Sequence, residues 1–353
     1  MNYRLRRHIL VSIFFLSGFP LLRTQTADTL HIIGVGDIML GTNYPSPNYL
    51  PPNEGRDLLA KALPILLSAD VTVGNLEGTI FDGAGTPKQC RDQSKCYVFR
   101  SPAAYAAHLA DAGFDLLSVA NNHSGDFGPA GRKGTQAALQ SHGIAYAGWA
   151  GTHESVVITR EGLRIGFCAF APNSGTCDIR DIRRAASIVA DLEKRSDVVV
   201  VSFHGGAEGA DNQHVPRKTE TYLGENRGNV HAFSHAVIDA GADLVLGHGP
   251  HVPRAMELYK GRLIAYSLGN FCTYGRFSLQ GPAGAAPLLE VFTDAKGAFL
   301  HGNIVSYYQR KPHGPYPDDS GEAARLIRQL SQADFPESGL LIGADGRIRP
   351  SQN

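Results

Sequence analysis

The chain contains 353 residues, of which 43% are hydrophobic and 19% are charged, a composition typical of globular proteins. Its 33 lysines and arginines equal its 33 aspartates and glutamates, so it lacks the basic excess expected of a nucleic-acid-binding protein. This length is sufficient for one large α/β domain or two small ones.

The N-terminal segment 1–26 has the features of an export signal. Three arginines precede an apolar stretch at 9–22, and this stretch is shorter than the roughly 20 residues that a membrane-spanning helix requires. We therefore predict either a cleaved signal peptide, with cleavage near Ala27, or an uncleaved signal anchor. Both alternatives place the protein outside the cytoplasm, in the periplasm or at the cell surface.

After this segment, short apolar runs alternate with segments of helical periodicity. In chain order, the sequence predicts strands at 31–35, 70–73, 114–119, near 145, 163–170 and 197–201, and helices at 56–67, 102–112, 129–141, 181–194 and 230–240. A buried strand then runs into His248, and two further strands lead to the motif SLGNF at 267–271. This alternation predicts an α/β fold with mainly parallel central strands. We expect one domain at 27–310, followed at 311–353 by a helix and, after Phe335, an irregular tail.

Five cysteines are present, which is compatible with an oxidising compartment. Cys90 and Cys96 lie in a polar loop at a spacing that allows a small disulfide. Cys168 and Cys177 form a second candidate pair, which would leave Cys272 unpaired, but the sequence alone does not fix the pairing.

Polar side chains of the types that bind metals follow several predicted strands. They are Asp37, Asn75, Glu77, Asn122, His123, His204, Glu208, His248 and His251. Because the carboxyl ends of parallel strands converge on one crevice, we expect these side chains to lie together. Carboxylate and amide oxygens combined with imidazoles, without a thiolate, suit manganese, iron(II), zinc or magnesium.

Five ordered motifs carry a resemblance to a known family. They are Gly36-Asp37-x-Met39, Asn75-Leu-Glu77-Gly, Asn121-Asn122-His123 with Asp126, His204-Gly with Glu208, and GHGPH at 247–251 followed by SLGNF. In order and spacing the chain resembles the poly-γ-glutamate capsule synthesis family of the CapA type, which is similar in turn to calcineurin-like metallophosphatases. The resemblance implies a four-layer α-β-β-α sandwich of metallo-dependent phosphatase type and a centre for one or two divalent ions.

The resemblance also implies a role for each motif residue. The implied metal ligands are Asp37, Glu77, Asn122, His204, His248 and His251. His123 would be the general acid and Asp126 the residue that orients it, while Asn75, Glu208 and Asn270 would contact the substrate or support the ligands.

Three departures from the family pattern affect the implied metal count. Met39 stands where the phosphatases have a histidine, and a thioether is a poor ligand for hard metals. Gly249 replaces a histidine found in many relatives, and Gly205 replaces a tryptophan. The site is therefore expected to hold either one ion or a second ion bound weakly.

Two functions remain open at this point. The first is a metal-dependent hydrolase acting on poly-γ-glutamate, on another anionic cell-envelope polymer or on a small phosphoester. Lys88, Arg91 and Arg100 would then either bind the anionic substrate or belong to a solvated loop. The alternative is a non-catalytic component for polymer binding, assembly or export, with a degenerate phosphatase fold, working within a membrane capsule-synthesis complex.

Overall fold

The computed structural model describes residues 29–90 and 96–351. Its strands are β1 (Thr29–Met39), β2 (Val71–Leu76), β3 (Thr79–Ile80), β4 (Arg100–Ser101), β5 (Leu116–Ser118), β6 (Ala145–Ala147), β7 (Ser155–Arg160), β8 (Leu163–Phe170), β9 (Val198–His204), β10 (Glu220–Tyr222), β11 (Glu225–Gly228), β12 (Leu244–His248), β13 (Met256–Tyr259), β14 (Arg262–Ala265), β15 (Asn270–Thr273), β16 (Ala285–Asp294), β17 (Phe299–Gln309), β18 (Pro315–Pro317), β19 (Leu340–Ile342) and β20 (Arg347–Pro350). Its helices are α1 (Leu63–Leu66), α2 (Tyr105–Asp111), α3 (Gly128–Ser141), α4 (Ile182–Glu193), α5 (Val230–Asp239) and α6 (Glu322–Asp334).

Two large sheets organise the molecule. The first has the strand order β19-β20-β17-β16-β1-β2-β5-β6, with β15 beside β1, and the second has the order β13-β14-β12-β9-β8-β7. The pairs β1–β2, β2–β5 and β5–β6 are parallel, as are β8–β9, β9–β12 and β12–β14. The parallel arrangement that the sequence predicts is thus found in β1, β2, β5 and β6 and in most of the second sheet. The other half of the first sheet differs, since β1–β16, β16–β17 and β17–β20 are antiparallel.

The sheets pack face to face, with helices on their outer surfaces. Side chains alternate between the two faces of a strand. Ile32 of β1 and Val200 of β9 therefore point into one core shared by both sheets. Their chain neighbours point outward: Ile33 packs with α2 and α3, and Val201 packs with α4 and α5. These layers form the predicted four-layer α-β-β-α sandwich.

Side-chain caps fix the start of the two helices that precede β9 and β12. The carboxylate of Asp181 accepts a hydrogen bond from the backbone N–H of Arg184 at the start of α4. The amide oxygen of Asn229 accepts one from Ala232 N–H at the start of α5. Such caps satisfy N–H groups that lack a partner within the helix. Each helix then returns the chain to a strand that ends in a histidine of the site.

Two predicted elements differ from the structure. The helix predicted at 56–67 is confined to Leu63–Leu66, because Pro64 has no N–H to continue a helical ladder back to Ala60. The tail after Phe335 was expected to be irregular, which is wrong: β19 and β20 form an antiparallel pair, and β20 also pairs with β17. Ile348 anchors this pair in the core between the sheets.

The cysteines form one of the two candidate pairs. Cys90 and Cys96 form a disulfide. The second candidate pair, Cys168 with Cys177, is wrong, since both are free and buried, as is Cys272. All three lie against apolar neighbours in the cores, where burial raises the pKa of the Cys168 thiol and keeps it protonated.

The predicted export signal at 1–26 lies outside the described residues. Within the described ranges, no helix is long and apolar enough to cross a membrane.

Candidate metal centre and catalytic cleft

The predicted site residues come together where strands of both sheets end. Asp37 of β1 lies in register with Asn75 of β2 on one side and with Asn270 of β15 on the other. His204 of β9 lies in register with His248 of β12 in the second sheet. The site therefore lies between the two sheets at the carboxyl ends of their parallel strands, as predicted.

A close backbone contact holds Asp37 in place. The Asp37 N–H donates to the carbonyl of Gly269 at 2.8 Å. A Cβ atom at Gly36 would lie 2.1 Å from that same carbonyl oxygen, so only glycine permits this approach. Packing thus requires glycine at position 36, and Asp37 supplies a carboxylate of the site.

Two fully buried carboxylates form the centre of the site. The side-chain amide of Asn75 donates to Asp37 Oδ1 at 2.8 Å and to Glu77 Oε2 at 2.6 Å. Asn121, which the sequence analysis did not include among the site residues, donates to Asn75 Oδ1 at 3.0 Å and to the Leu76 carbonyl at 2.8 Å. This chain of amides fixes the orientation of both carboxylates, and it gives Asn75 a supporting role.

Three imidazoles face these carboxylates. His204 Nδ1 lies 3.3 Å from Glu77 Oε2, and His248 Nδ1 lies 3.5 Å from Asp37 Oδ1. His251 Nδ1 lies 2.8 Å from Asp37 Oδ2. His251 also has a positive φ of 57°, which turns its side chain back toward β1.

The proton equilibria of the site reflect this pairing. Burial alone would raise the pKa of Asp37, but the hydrogen bonds and charges of His248 and His251 hold it well below its usual range. Burial likewise opposes ionisation of Glu77, yet the charge of His204 helps to lower its pKa to about 2. For His251 burial is outweighed by the hydrogen bond and charge of Asp37, which raise its pKa to about 9. Both carboxylates are therefore anionic at neutral pH.

The donor set fits a divalent cation. One ligand atom from each of Asp37, Glu77 and His204 lies within 4.8 Å of the other two. Several buried polar atoms nearby have no hydrogen-bond partner: Glu77 Oε1, Asn122 Oδ1 and His248 Nε2. Buried polar atoms without partners are uncommon in folded proteins and call for an explanation such as an ion. Carboxylate, amide and imidazole ligands are those of manganese, zinc, iron or magnesium.

His123 forms a separate unit with Asp126 and Lys88. His123 Nδ1 lies 2.8 Å from Asp126 Oδ2, and Lys88 Nζ lies 2.6 Å from Asp126 Oδ1. The Phe99 ring covers the imidazole at 4.2 Å between centroids, and the Phe99 N–H donates to Asp126 Oδ2. With Nδ1 paired to a carboxylate, the other ring nitrogen of His123 is left to act on a bound molecule.

A buried arginine, absent from the predicted set, completes the site. Arg227 lies on β11 with only 2% of its surface exposed. Its guanidinium lies 3.3 Å from His204 Nε2 and 3.0 Å from Glu208 Oε1. Its Nε has no partner. Glu208, predicted to contact substrate or to support the ligands, thus pairs with a fixed cation. Arg227 lies in the long connection between β9 and α5, where no strand-end pattern marks it.

Met39 and Gly249 contribute no ligand. The sulfur of Met39 accepts a hydrogen bond from Gly41 N–H at 3.3 Å and is buried. At Gly249 φ is +112°, and a Cβ would lie 2.8 Å from Gly205 N. The two backbones are therefore too close for a side chain at position 249.

The site opens into a cleft of about 710 Å³. Its lining includes Asn122, His123, Glu208, Arg227, His251 and Asn270, together with Lys88, Arg276 and the aromatic rings of Tyr97, Phe99 and Phe277. The Asn270 amide donates to the His251 and Ala283 carbonyls at 3.2 and 3.1 Å, which supports the His251 loop. Arg100 instead hydrogen-bonds Asn43 and the Gly83 carbonyl, and Arg91 lies outside the described residues.

Fold and site together define an α-β-β-α sandwich with a carboxylate–imidazole centre at the ends of its parallel strands. The family profile described as "Bacterial capsule synthesis protein PGA_cap" matches residues 31–274. The chain therefore belongs to this capsule synthesis family, as the motifs predict.

Individual relatives agree with this assignment. The chain is 29% identical over 268 residues to the PGA biosynthesis protein CapA of Bacillus subtilis, and the match covers 71% of this chain and 65% of that protein. It is 28% identical over 256 residues to the capsule biosynthesis protein CapA of Bacillus anthracis, covering 67% and 58%. The chain thus spans less than two thirds of the length of both relatives.

Among solved structures, a 5′-nucleotidase precursor from Thermus thermophilus is similar at 13% identity, with a TM-score of 0.44 over 86% of this chain and 59% of that one.

Proposed function

We propose that this protein is a metal-dependent hydrolase that cleaves an ester or amide bond in an anionic component of the cell envelope. The observation that carries the proposal is His123, which is paired with the buried Asp126 and lines the same cleft as His251 of the carboxylate–imidazole centre. A proton donor beside a cation site is the arrangement that metal-assisted hydrolysis requires.

One divalent ion is the proposed cofactor. The proposed ligands of this ion are Asp37, Glu77, His204 and His248. Asn122 and His251 would complete the ligand set. When bound, such an ion polarises the scissile group and lowers the pKa of a coordinated water toward neutrality. The Arg227 guanidinium lies beside His204 Nε2 and supplies a positive charge there. Because a second cation would be repelled by this charge, the proposal includes only one ion.

His123 would supply the proton that the leaving group needs. Asp126 accepts the Nδ1 proton, which selects the tautomer and orients the ring. Lys88 pairs with Asp126 at 2.6 Å and holds this carboxylate in position. The Phe99 ring lies against the imidazole and limits the access of water to it.

Arg276 is the cation of the cleft that an anionic substrate could use most readily. It lines the cleft and lies over the Tyr97 ring at 4.6 Å, whereas Arg227 is paired with Glu208 and Lys88 with Asp126. The relatives are named for the biosynthesis of capsule and of PGA. We therefore propose an envelope polymer such as poly-γ-glutamate, or a small phosphoester, as substrate of an exported protein.

A second candidate is a non-catalytic polymer-binding or assembly component, acting within a membrane capsule-synthesis complex. Two observations favour it: the Met39 sulfur bonds the backbone instead of the site, and the Arg227 guanidinium contacts His204. Both reduce the number of ligands available for metal catalysis. This candidate keeps the cleft and its cations but predicts no turnover.

Metal counting combined with turnover distinguishes the two. The purified protein, stripped with chelator and reloaded with manganese, is expected to bind one ion per chain that is lost in an Asp37→Ala/His204→Ala double variant. Hydrolysis of p-nitrophenyl phosphate and of poly-γ-glutamate is measured before and after reloading. Turnover that returns only with the ion supports the hydrolase. Binding of the polymer without turnover supports the second candidate, and a folded protein that binds no ion contradicts the hydrolase.

A further inference from the structure

A second group of metal-ligating side chains lies apart from the cleft. His231 and His235 are four residues apart on α5, which places them on one face of the helix. Glu257 on β13 faces them. One ligand atom from each of these three side chains lies within 4.8 Å of the other two. None of the three lines the cleft.

Glu257 is buried and held in place by neighbours other than a metal. Its side chain is 7% exposed, and Tyr266 donates its hydroxyl proton to Glu257 Oε2 at 2.6 Å. His235 Nε2 lies 3.0 Å from both oxygens of Glu257. A carboxylate fixed by an outer hydrogen bond is the usual support of a metal ligand.

The two imidazoles are also held by packing. The His235 ring stacks on Tyr259 at 3.7 Å, and the His231 ring lies parallel to Phe335 at 5.9 Å. The two imidazole centroids are 4.1 Å apart. Ligands held in position before the metal arrives lose little freedom when it binds.

We propose that His231, His235 and Glu257 form a zinc site that is independent of the cleft. Two imidazoles and one carboxylate are a ligand set that zinc takes with its fourth position open to water. Both histidines are partly exposed, which gives the ion a path to the site. Zinc there links α5 to the β13–β14 hairpin. Without zinc, the same residues amount to a His235–Glu257 hydrogen bond beside a stacked His231.

The test uses a protein in which the central site cannot contribute. In the Asp37→Ala/His204→Ala background, one zinc per chain is expected after dialysis, measured by mass spectrometry. Adding His231→Ala should lower the zinc affinity by more than about 100-fold, since loss of even an outer-shell partner costs about 10- to 100-fold. His231→Ala leaves the His235–Glu257 contact intact, and circular dichroism checks the fold. His301→Ala, which removes an exposed histidine of β17, is the matched control and should keep the zinc.

Cobalt substitution gives a second measurement. Cobalt(II) in this background should show the intense visible absorption of a four-coordinate site, and His231→Ala should abolish it. Equal zinc affinity with and without His231, or no zinc bound by the folded background protein, overturns the proposal. Neither result bears on the hydrolase proposal, because the background already lacks the central site.

Discussion

Replacing His123 by alanine tests the proposed general acid most directly. The imidazole is paired with Asp126 at 2.8 Å and is not a member of the Asp37–Glu77–His204 ligand group. General acid catalysis contributes about 10²- to 10⁴-fold in rate, which corresponds to about 2.7 to 5.4 kcal/mol at about 1.36 kcal/mol per decade. We expect His123→Ala to lose turnover by this factor and to keep its manganese.

The assay compares aryl phosphates whose leaving groups differ in pKa. A good leaving group, such as p-nitrophenolate, departs with little need for a proton, whereas phenolate or an alkoxide depends on one. The loss caused by His123→Ala should therefore be small for p-nitrophenyl phosphate and large for phenyl phosphate. Metal content is measured on the same samples, so that an effect on the ligands can be separated from an effect on proton transfer.

Two further variants complete this experiment. His142→Ala removes an exposed histidine at the end of α3 and should change neither rate nor metal content. Asp126→Asn should reproduce the dependence on leaving group, and because Asp126 Oδ2 also accepts the Phe99 N–H, it should cost about 1 to 3 kcal/mol of stability. An equal loss for every leaving group would refute the general-acid role. Loss of manganese from His123→Ala would identify His123 as a ligand.

Three other predictions follow from single contacts. Arg227→Met should weaken inorganic phosphate binding by about 10- to 100-fold, as expected for a lost charged hydrogen bond; an unchanged dissociation constant in calorimetry would remove Arg227 from the anion site. Burial raises the pKa of Asp243 to about 6, so the parent should lose up to about 3 kcal/mol of stability as pH rises from about 4 to 6. Asp243→Asn should become more stable relative to the parent over that range in urea titrations, and a constant difference would contradict this. Gly36→Ala places a Cβ 2.1 Å from the Gly269 carbonyl oxygen and should lower the free energy of unfolding by about 1 to 3 kcal/mol. A urea midpoint equal to that of the parent would contradict this prediction and would mean that the backbone moves to accept the methyl group.

Much of the fold and the location of the site could be predicted because they depend on local patterns. Apolar runs such as 198–201 are strands that are buried on both faces, and each ends at a polar motif. Parallel pairing then brings these strand ends together, independently of the length and conformation of the loops. The β19–β20 pair was missed although it carries a local signal, an Asp345-Gly346 turn between two short runs with apolar residues. Its position in the first sheet depends on pairing with β17, which no local pattern reveals.

The hydrogen-bond partners within the site could not be predicted in the same way. Asn121 and Asn122 are adjacent and chemically identical, yet Asn121 is tied to Asn75 and the Leu76 carbonyl while Asn122 Oδ1 has no partner. Which of the two faces the ligand group depends on the turn after β5, a property of the tertiary structure. The sequence can name the pair but cannot divide the roles within it.

Arg227 is the residue that most changes the interpretation of the site. It comes from the β10–β11 hairpin, outside both large sheets, and contacts His204 at the end of β9. The departures at Met39 and Gly249 remove potential ligands, and on their own they would leave the carboxylates with less positive charge. The Arg227 guanidinium places a positive charge beside His204, which agrees with the one-ion centre proposed above. The same geometry accounts for the position of Glu208, which pairs with the arginine on the cleft side at 3.0 Å. A centre with one exchangeable ion and one fixed cation is the arrangement that these contacts favour, and it is the arrangement that the manganese count tests.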